Sequence, residues 1–541
     1  MTDEPATRPF PGKERINTRA AGVIGIAVMC SRVLGLIRET VFAALFGGGR
    51  EMDVFIAAFR IPNLLRDLFA EGALSTAFVT VFSRTIVTDG EQAAWRLANK
   101  VMTLATVFMS AITLLGILIA PWIVGFIAPG FDADKAAMTT TLVRVMYPFI
   151  LLVSLAALVM GMLNARNVFG MPAMASSFFN LGSIIGGVAV GWWLDPSFGS
   201  RALLGLAIGT LIGGALQLGV QLPSLRRAGF RFRPDWHWRS EGVRNMLTLM
   251  GPAIIAASSV QVNVLVNSMF ASQLGDGPIA WLNNAFRLMQ LPLGLFGVAL
   301  GTVALPVLAR LAAGQQMTQF RTELARAMRL SFVLTIPATV GLMVLAEPIM
   351  SVVYQHGKFT AEQTAQAAGA LQLYATGLCA YATMKVLVNA FYAVDKRRTP
   401  MLVSLVAIGL NALLCWLFVT RFGWGHRGLA ASTACIATFN FAVLYVLMHR
   451  HLRSLDTAPL LRTLAKVLLS GAVLALAAWA GRHYWLSDWA TQAFFPKAAR
   501  LLAVITLSGA AFVLAALALR VEELSVLAAT VRRRLARRRA G

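Results

Sequence analysis

This sequence has little charge for its length. Only 13% of its 541 residues are charged, 57% are hydrophobic, and the mean hydropathy is +0.69. A soluble protein of this length would need far more charge to cover its surface. Because no long polar segment separates the apolar stretches, a sizeable soluble domain is also excluded. The composition therefore predicts a protein that lies mostly within a membrane.

Motifs for catalysis and metal binding are also lacking. The six histidines include no HExxH sequence, and no Walker A loop for a nucleotide occurs. The polar, basic N-terminus has no apolar core, so we expect no cleavable signal peptide. These features favour a transporter without a cofactor over an enzyme. The four cysteines lie in apolar stretches at no metal-ligand spacing, and we interpret them as small core residues: Cys30, Cys379, Cys415 and Cys435.

Apolar runs long enough to cross a bilayer recur along the whole chain. Lysine and arginine concentrate in the segments between them that would then face the cytoplasm, as cytoplasmic loops normally do. Both termini are therefore predicted to be cytoplasmic. We predict an all-α polytopic membrane protein with fourteen transmembrane helices, near residues 20–46, 53–83, 101–128, 136–163, 170–194, 202–222, 245–273, 278–309, 330–346, 361–393, 400–420, 428–448, 467–481 and 501–519.

An internal repeat divides the chain. Residues 57–69 align with 284–296, which matches Phe59-Arg60 to Phe286-Arg287. Parallel repeats are an architecture of transporters, with the substrate site between the halves. We therefore predict two pseudo-symmetric six-helix lobes around a central cavity, plus two C-terminal helices. The predicted segments are a cytoplasmic N-terminal segment (1–19), an N-lobe with helices 1–6 (20–222), a cytoplasmic amphipathic linker (223–244), a C-lobe with helices 7–12 (245–450), helices 13–14 (451–519) and a basic cytoplasmic tail (520–541).

Basic side chains inside the predicted spans outnumber acidic ones. An arginine at bilayer depth costs roughly 2.5–3.5 kcal/mol on insertion scales, so it normally faces a wet cavity or a partner. One interpretation is neutralisation within a helix, since Arg32 and Glu39 share a helical face, as do Arg60 and Asp67. An excess of positive charge remains, however, and guanidinium groups suit diphosphates because they donate bidentate hydrogen bonds. The basic residues are Arg32, Arg38, Arg60, Arg66, Arg144, Arg287 and Lys385, and the acids are Glu39, Asp67 and Glu71.

Four segments stand out along the chain: SRVLGLIRE, DVFIAAFRIPNLLRDLFAEGALSTAFV, RLMQLPLGLFGVALGTVALPVL and YQHGKFT. Together they resemble the MurJ (MviN) family of lipid II flippases, within the multidrug/oligosaccharidyl-lipid/polysaccharide exporter superfamily. The resemblance implies a V-shaped pair of lobes in the cell inner membrane. By alternating access it would carry lipid II, the undecaprenyl-diphosphate-linked disaccharide-pentapeptide, from the inner to the outer leaflet for cell wall biosynthesis.

The resemblance also implies roles for particular residues. The last two helices would form a groove for the polyprenyl tail. On charge alone, Arg60, Arg144 and Lys385 are further candidates for the cavity. The resemblance assigns the functional cavity arginines to Arg32, Arg38, Arg66 and Arg287 and a family aspartate to Asp53, and Ser31 is a further candidate for substrate binding.

Sodium coupling is where this chain departs from the family. Some members bind sodium through carboxylates of the C-lobe, but the seventh span here offers only amides, among them Asn267. Asn267 and Asn389 are weak sodium candidates, and no other metal is expected. Because a cation at membrane depth normally needs a carboxylate, coupling to the membrane potential is the natural alternative.

Several alternatives stay open. A flippase for another polyprenyl-linked oligosaccharide, of the O-antigen type, would need similar cavity charges. A drug/cation antiporter of the same superfamily should instead hold unpaired carboxylates, and a membrane-embedded glycosyltransferase should show clustered acids at the ends of spans. The arginines and aromatic residues of the linker indicate contact with anionic membrane lipids rather than with nucleic acid. Other cell-wall synthesis proteins are candidate partners.

Alternating access requires parts that move. Glycines at Gly35 and Gly47–Gly49 predict bending of the first span. The outer ends of the two lobes should approach each other near Asp53 and Gly277 in one state of the cycle.

Overall fold

A computed structural model describes residues 18–68, 74–487 and 492–524. Every regular element in these ranges is helical. Glu71, nearly all of the predicted N-terminal segment and most of the basic tail lie outside the described residues. The α-helices are α1 (Thr18–Phe46), α2 (Arg50–Leu65), α3 (Ser75–Thr88), α4 (Glu91–Ile127), α5 (Ala133–Met146), α6 (Phe149–Ala165), α7 (Gly170–Leu194), α8 (Leu203–Gly219), α9 (Leu222–Arg227), α10 (Glu241–Ser272), α11 (Pro278–Pro292), α12 (Ala299–Ala313), α13 (Met317–Val344), α14 (Ala346–Tyr354), α15 (Ala361–Thr376), α16 (Leu378–Ala393), α17 (Arg398–Trp416), α18 (Gly425–His451), α19 (Thr457–Trp485) and α20 (Phe494–Ala518).

Each predicted span overlaps a described helix or a pair of helices, with bounds that differ by up to thirteen residues, and the second span, 53–83, includes residues 69–73 outside the described ranges. The eighth predicted span consists of α11 and α12, joined by a π-helical turn over Leu293–Val298. Pro292, Gly294 and Gly297 lie at this turn, where proline removes a donor and glycine weakens the helix. The first span shows no break at Gly35, because α1 continues through it, and Gly47–Gly49 instead form the turn to α2.

Ten of the described helical stretches are long and apolar enough to cross a membrane, or eleven if the bent pair α15–α16 is one span. The two helices of that pair meet at 41°. The chain is thus a multi-pass, all-helical membrane protein.

The chain packs as two sets of helices. We call α1–α9 the N-terminal half and α10–α20 the C-terminal half, and most helix contacts fall within one half. The segment between them, residues 228–240, is fixed to α4. In it the Arg233 amide donates to Asn99 Oδ1 at 2.9 Å and the Asp235 amide to Thr103 Oγ1 at 3.1 Å, while Phe230 is buried.

One carboxylate joins the two halves by capping a helix of the other half. Asp53, in the first turn of α2, is fully buried. Its Oδ2 accepts from the Gly277 amide at 2.7 Å, and its Oδ1 accepts from the Ala280 amide at 2.8 Å. These amides lie at the start of α11, which has no side-chain cap of its own. Asp53 therefore supplies in trans the cap that a helix N-terminus normally takes from its own sequence, and Asp53 and Gly277 do meet.

A charge network surrounds this cap, and with it forms what we call the joined end. Lys135 of α5 is buried and donates to Asp53 Oδ2 at 3.2 Å and to Asp276 Oδ1 at 2.8 Å. Arg50 donates to both oxygens of Asp132, at 2.6 and 2.7 Å, and lies 3.9 Å from Asp276. The Arg50 guanidinium holds the pKa of the Asp132 carboxyl below its ordinary value. Arg50 and Lys135 of the N-terminal half thus pair with acids of both halves. Asp53 and Asp132 belong to the N-terminal half, and Asp276 belongs to the C-terminal half.

The YQHGKFT motif forms a second contact between the halves. The Lys358 amide donates to the Ala44 carbonyl at 2.8 Å, and Gln363 Oε1 accepts from the Gly48 amide at 2.8 Å. Gly357 has a positive φ of 55°, and a Cβ there would lie 2.3 Å from the Ala44 oxygen. Only glycine allows the backbone to come this close.

Crosslinking can test whether this contact opens during function. A Cβ on Gly49 would lie 3.7 Å from Gln363 Nε2, which is an ordinary contact distance. In a variant without native cysteines, Gly49→Cys with Gln363→Cys should react with a short bifunctional thiol reagent. Substrate should lower the crosslinked fraction, measured by peptide mass spectrometry. Each single cysteine is the control, and crosslinking that substrate leaves unchanged would mean that the halves are fixed.

The trans cap gives a second prediction. Asp53→Asn keeps an acceptor for the Ala280 amide but removes the buried carboxylate beside Lys135, which then pairs only with the half-exposed Asp276. Removing one partner of a buried ion pair costs up to roughly 3–5 kcal/mol. We expect this variant to lose transport and to reduce the 49–363 crosslink, while binding of a diphosphate lipid stays unchanged. Adding Lys135→Met should restore part of the crosslink, because no unpaired charge remains. If Asp53→Asn instead weakens lipid binding and leaves the crosslink intact, Asp53 contacts substrate.

Candidate functional site

A cavity of about 440 Å³ lies between the two halves. It contains six of the predicted site residues: Ser31, Arg32, Arg38, Arg66, Arg287 and Lys385. The side chains come from α1, α2, α11 and α16, with further walls from α7 and α8. None of the described residues that line it is an aspartate or a glutamate. We call it the cationic cavity.

One buried glutamate holds two of its arginines. Arg38 Nη2 lies 2.7 Å from Glu39 Oε1, and Arg287 Nη2 of the C-terminal half lies 3.6 Å from the same oxygen. The Arg38 guanidinium also lies between the rings of Phe59 and Phe179, at 5.7 and 5.3 Å from their centroids. Ring faces attract such a cation, so Arg38 is stabilised without full neutralisation. Arg287 stays 44% exposed and can reach a ligand.

A second acid lies behind Arg66. Arg66 Nη2 lies 2.9 Å from Asp67 Oδ1, and Gln261 of α10 donates to Asp67 Oδ2 at 3.2 Å. The predicted pairs Arg32–Glu39 and Arg60–Asp67 are therefore wrong, since both acids pair with the arginine next to them in sequence. Seven residues separate two side chains by about 10 Å along a helix axis, whereas neighbouring side chains can turn towards each other.

Arg32 and Lys385 have no ion pair with any acid in the described ranges. Arg32 is exposed and crosses to the C-terminal half, where it lies against the backbone of Gly294. A Cβ at Gly294 would lie 2.0 Å from Arg32 Nη1, so the glycine is required for this approach. On the other side of α1, Asn180 donates to the Ser31 carbonyl at 3.1 Å.

The cationic cavity thus carries five positive groups, with Glu39 and Asp67 behind them. Their excess charge faces the cavity, and the other described residues of its wall are neutral. Such a cavity attracts oxyanions, and guanidinium forks bind diphosphate oxygens in pairs. It repels organic cations for the same reason.

Three predicted residues lie elsewhere. Asp53 is not in the cavity wall but in the joined end described above. Arg144 is exposed and donates to the Ile117 carbonyl at 3.2 Å, so the structure does not support its place in the cavity. Its prediction rested on depth in the membrane, which does not tell which side of a helix faces lipid or protein. Arg60 reaches a second cavity.

This second cavity, which we call the amide cavity, measures about 250 Å³ and lies mainly in the C-terminal half. Its wall combines neutral polar and aromatic side chains with apolar ones such as Ile279 and Leu282, and Arg60 is the one charged residue among those described there. Arg60 donates to Ser268 of α10. The polar and aromatic wall residues are Asn263, Asn267, Asn283, Phe286, Tyr374, Tyr381, Ser404, Asn411, Thr433 and Asn440.

The two weak sodium candidates, Asn267 and Asn389, lie apart and both form hydrogen bonds with protein groups. Asn267 Oδ1 accepts from Asn411 Nδ2 at 3.1 Å and from Cys415 Sγ at 3.3 Å, so its oxygen already has two donors. Its Nδ2 donates to Thr433 Oγ1 at 3.0 Å. Asn389 lies apart from this cluster and donates to the Gly301 carbonyl at 2.8 Å. Among the described residues no cluster of three His, Cys, Asp or Glu side chains is placed to hold a metal ion.

Sequence reasoning missed Lys135 and Gln363. Lys135 lies at the start of a predicted span in the stretch DADK, which looks like an ordinary charged loop. Gln363 follows the YQHGKFT motif and is a common helix N3 residue, since it forms a capping box with Thr360. Only the fold brings Lys135 to the joined end and Gln363 to the second contact between the halves.

Comparisons with known proteins identify the family of this chain. The profile of the family described as Lipid II flippase MurJ matches residues 42–500. The chain is 34% identical over 502 residues to the probable lipid II flippase MurJ of Vibrio cholerae, covering 90% of this chain and 93% of that protein.

Solved structures with the same fold include a lipid II flippase MurJ in an inward closed conformation. It matches with a TM-score of 0.74 and 25% identity, covering 91% of this chain and 97% of that one. An inward-facing multidrug resistance MATE transporter of the MOP superfamily shares the fold at 14% identity, with a TM-score of 0.67 and coverage of 81% and 99%. The profile match and the Vibrio relative together establish that this chain belongs to the lipid II flippase MurJ family.

Proposed function

We propose that the protein is a flippase that moves lipid II across the cytoplasmic membrane for peptidoglycan synthesis. The observation that carries this proposal is the cationic cavity, with five basic side chains and no carboxylate among its described wall residues. Membership of the MurJ family names the substrate, and the cavity charges suit its diphosphate. The chemistry is transport rather than catalysis.

The proposed architecture is fourteen membrane spans in two six-helix lobes plus two helices, with both termini in the cytoplasm. Recurring helix pairs support the two lobes: α1 packs on α7 as α10 packs on α17, and α7 pairs with α8 as α17 pairs with α18. The basic segment 223–244 supports the orientation, because such segments normally stay in the cytoplasm. Its exposed Trp236 and its arginines would bind anionic lipids at the membrane surface.

In the proposed cycle, the diphosphate binds Arg32, Arg287 and their neighbours while the joined end is closed. Opening of the joined end then releases the headgroup on the outer side. The polyprenyl tail stays in lipid along α19 and α20, which pack on α13 at the edge of the protein. A groove beside α19 is lined by the apolar side chains of Met343, Val344, Trp479 and Leu486, together with the polar side chains of Gln372, Arg482, His483 and Ser487.

Two alternatives make different predictions. A flippase for another polyprenyl-linked oligosaccharide would use the same diphosphate contacts, so only substrate competition separates it from the proposal. A drug/cation antiporter is disfavoured, because its substrate would meet an excess of positive charge in the cationic cavity.

Depletion of the protein in cells should lower lipid II in the outer leaflet, and the wild-type gene should restore it. Arg32→Ala, Arg38→Ala, Arg66→Ala and Arg287→Ala should each fail to restore it at normal protein levels. Lysine at these positions should restore it only in part, because a point charge lacks the bidentate fork. Arg144→Ala is the matched control and should be active. Unchanged surface lipid II after depletion, with no second flippase present, would contradict the proposed function.

Two treatments distinguish the membrane potential from a sodium gradient as the energy source. The membrane potential acts on charge at about 2.3 kcal/mol per elementary charge per 100 mV, and the empty cationic cavity carries net positive charge. An inside-negative potential would therefore favour the inward-facing empty state. We predict that collapsing the potential with an ionophore halts flipping, while replacing sodium by choline at constant potential does not. The reverse result would show that a sodium site drives the cycle.

A further inference from the structure

The amide cavity has no role in binding a diphosphate, and its chemistry differs from that of the cationic cavity. Its described wall carries five asparagines, two tyrosines, a serine and a threonine beside the single cation Arg60. At about 250 Å³ it is far larger than the roughly 10–15 Å³ that one water molecule needs. A ligand group, rather than a single bridging water, would fill it.

Several hydrogen-bonding groups in the wall lack a partner. The hydroxyls of Tyr381 and Ser404 make no hydrogen bond with any described residue. The side-chain oxygen of Asn440 is buried and also has no partner within the described chain. The buried Asn440 oxygen is costly to leave without a donor, and the two hydroxyls in the wall can each donate and accept, so these groups suit a ligand that does both. Amides have this property, whereas a metal ion or a simple anion does not.

Arg60 adds a charge preference. It contacts Ser268, a neutral partner, and makes no ion pair with the acids of the described residues. A guanidinium without a carboxylate, in a wall of neutral groups, binds a carboxylate strongly because the competing water is limited. The combination of amide-binding groups with one cation fits the carboxylate end of a peptide.

The two cavities are neighbours on the same helices. On each of three helices, two adjacent residues line different cavities. Phe59 of α2, Arg287 of α11 and Lys385 of α16 line the cationic cavity. Their sequence neighbours Arg60, Phe286 and Met384 line the amide cavity. A molecule whose diphosphate lies in the cationic cavity can therefore extend its other end into the amide cavity.

We propose that the amide cavity binds the peptide portion of the substrate, with a peptide carboxylate on Arg60. This rests on the proposed function, since lipid II carries both a diphosphate and a peptide. The cationic cavity would then recognise the lipid carrier, which many polyprenyl-linked glycans share. The amide cavity would select the substrate that also has a peptide.

The test compares two ligands on the full-length purified protein. One is lipid II, and the other is the same lipid with the carboxylates of its peptide converted to amides. Dissociation constants are measured for the wild type, for Arg60→Gln and for Arg32→Gln. A charged hydrogen bond predicts that the wild type binds the carboxylate form about 10- to 100-fold more tightly. Arg60→Gln should bind both lipids alike, whereas Arg32→Gln should weaken both by the same factor.

Ser268→Ala separates ligand binding from the contact between halves. It removes the Arg60–Ser268 hydrogen bond but keeps the charge, so it should retain the preference for the carboxylate form. Equal binding of the two lipids by the wild type would overturn the proposal, as would a preference that survives in Arg60→Gln. If neither lipid binds the wild type, the proposed function itself is wrong.

Discussion

The structure depends on keeping positive charge at membrane depth without neutralising it. A guanidinium in hydrocarbon is too costly to leave unsupported, yet a fully paired one could not attract a substrate. The protein solves this in different ways at each position. Glu39 is shared by Arg38 and Arg287, two aromatic rings flank Arg38, and Arg32 lies against the backbone at Gly294. Each device lowers the cost of the charge, and an excess remains for the ligand.

Charged groups are also buried at the joined end, but there they are neutralised. There Lys135 and Asp53 are buried together and fully paired, and the Asp53 oxygens also accept the two amides of α11. Burial of an ion pair is not in itself strongly stabilising, because each ion loses its water. When the halves separate, water can hydrate Lys135, Asp53 and the helix end again. A contact of this kind fixes which residues meet while leaving the closed and open states similar in free energy, as a cycle requires.

Much of this fold could be predicted from hydropathy, but its pairings could not. The length of the apolar runs predicted helices that overlap those of the structure. The excess of basic residues within these runs predicted a cationic cavity, and Arg32, Arg38, Arg66, Arg287 and Lys385 do line one cavity. The position of Arg144 within a predicted span made it a candidate for the cavity, but its side chain lies elsewhere. Depth in the membrane does not reveal the direction in which a side chain points. Helical spacing assigned the wrong partners to Glu39 and Asp67, since side chains one residue apart can converge when they face a shared cavity. The trans cap at Asp53 depends on a helix more than two hundred residues away and has no local signal.

Helices α2 and α11 connect the binding region to the joined end. Asp53 lies at the start of α2, and Arg60 and Arg66 follow along the same segment. The cap that Asp53 forms is at the start of α11, and Arg287 lies two to three turns further along that helix. A ligand that draws Arg66 and Arg287 towards one diphosphate therefore pulls on the two helices whose ends meet at the joined end. The coupling of binding to opening needs no separate relay, because each helix is a rigid element that carries both a ligand contact and a contact between the halves.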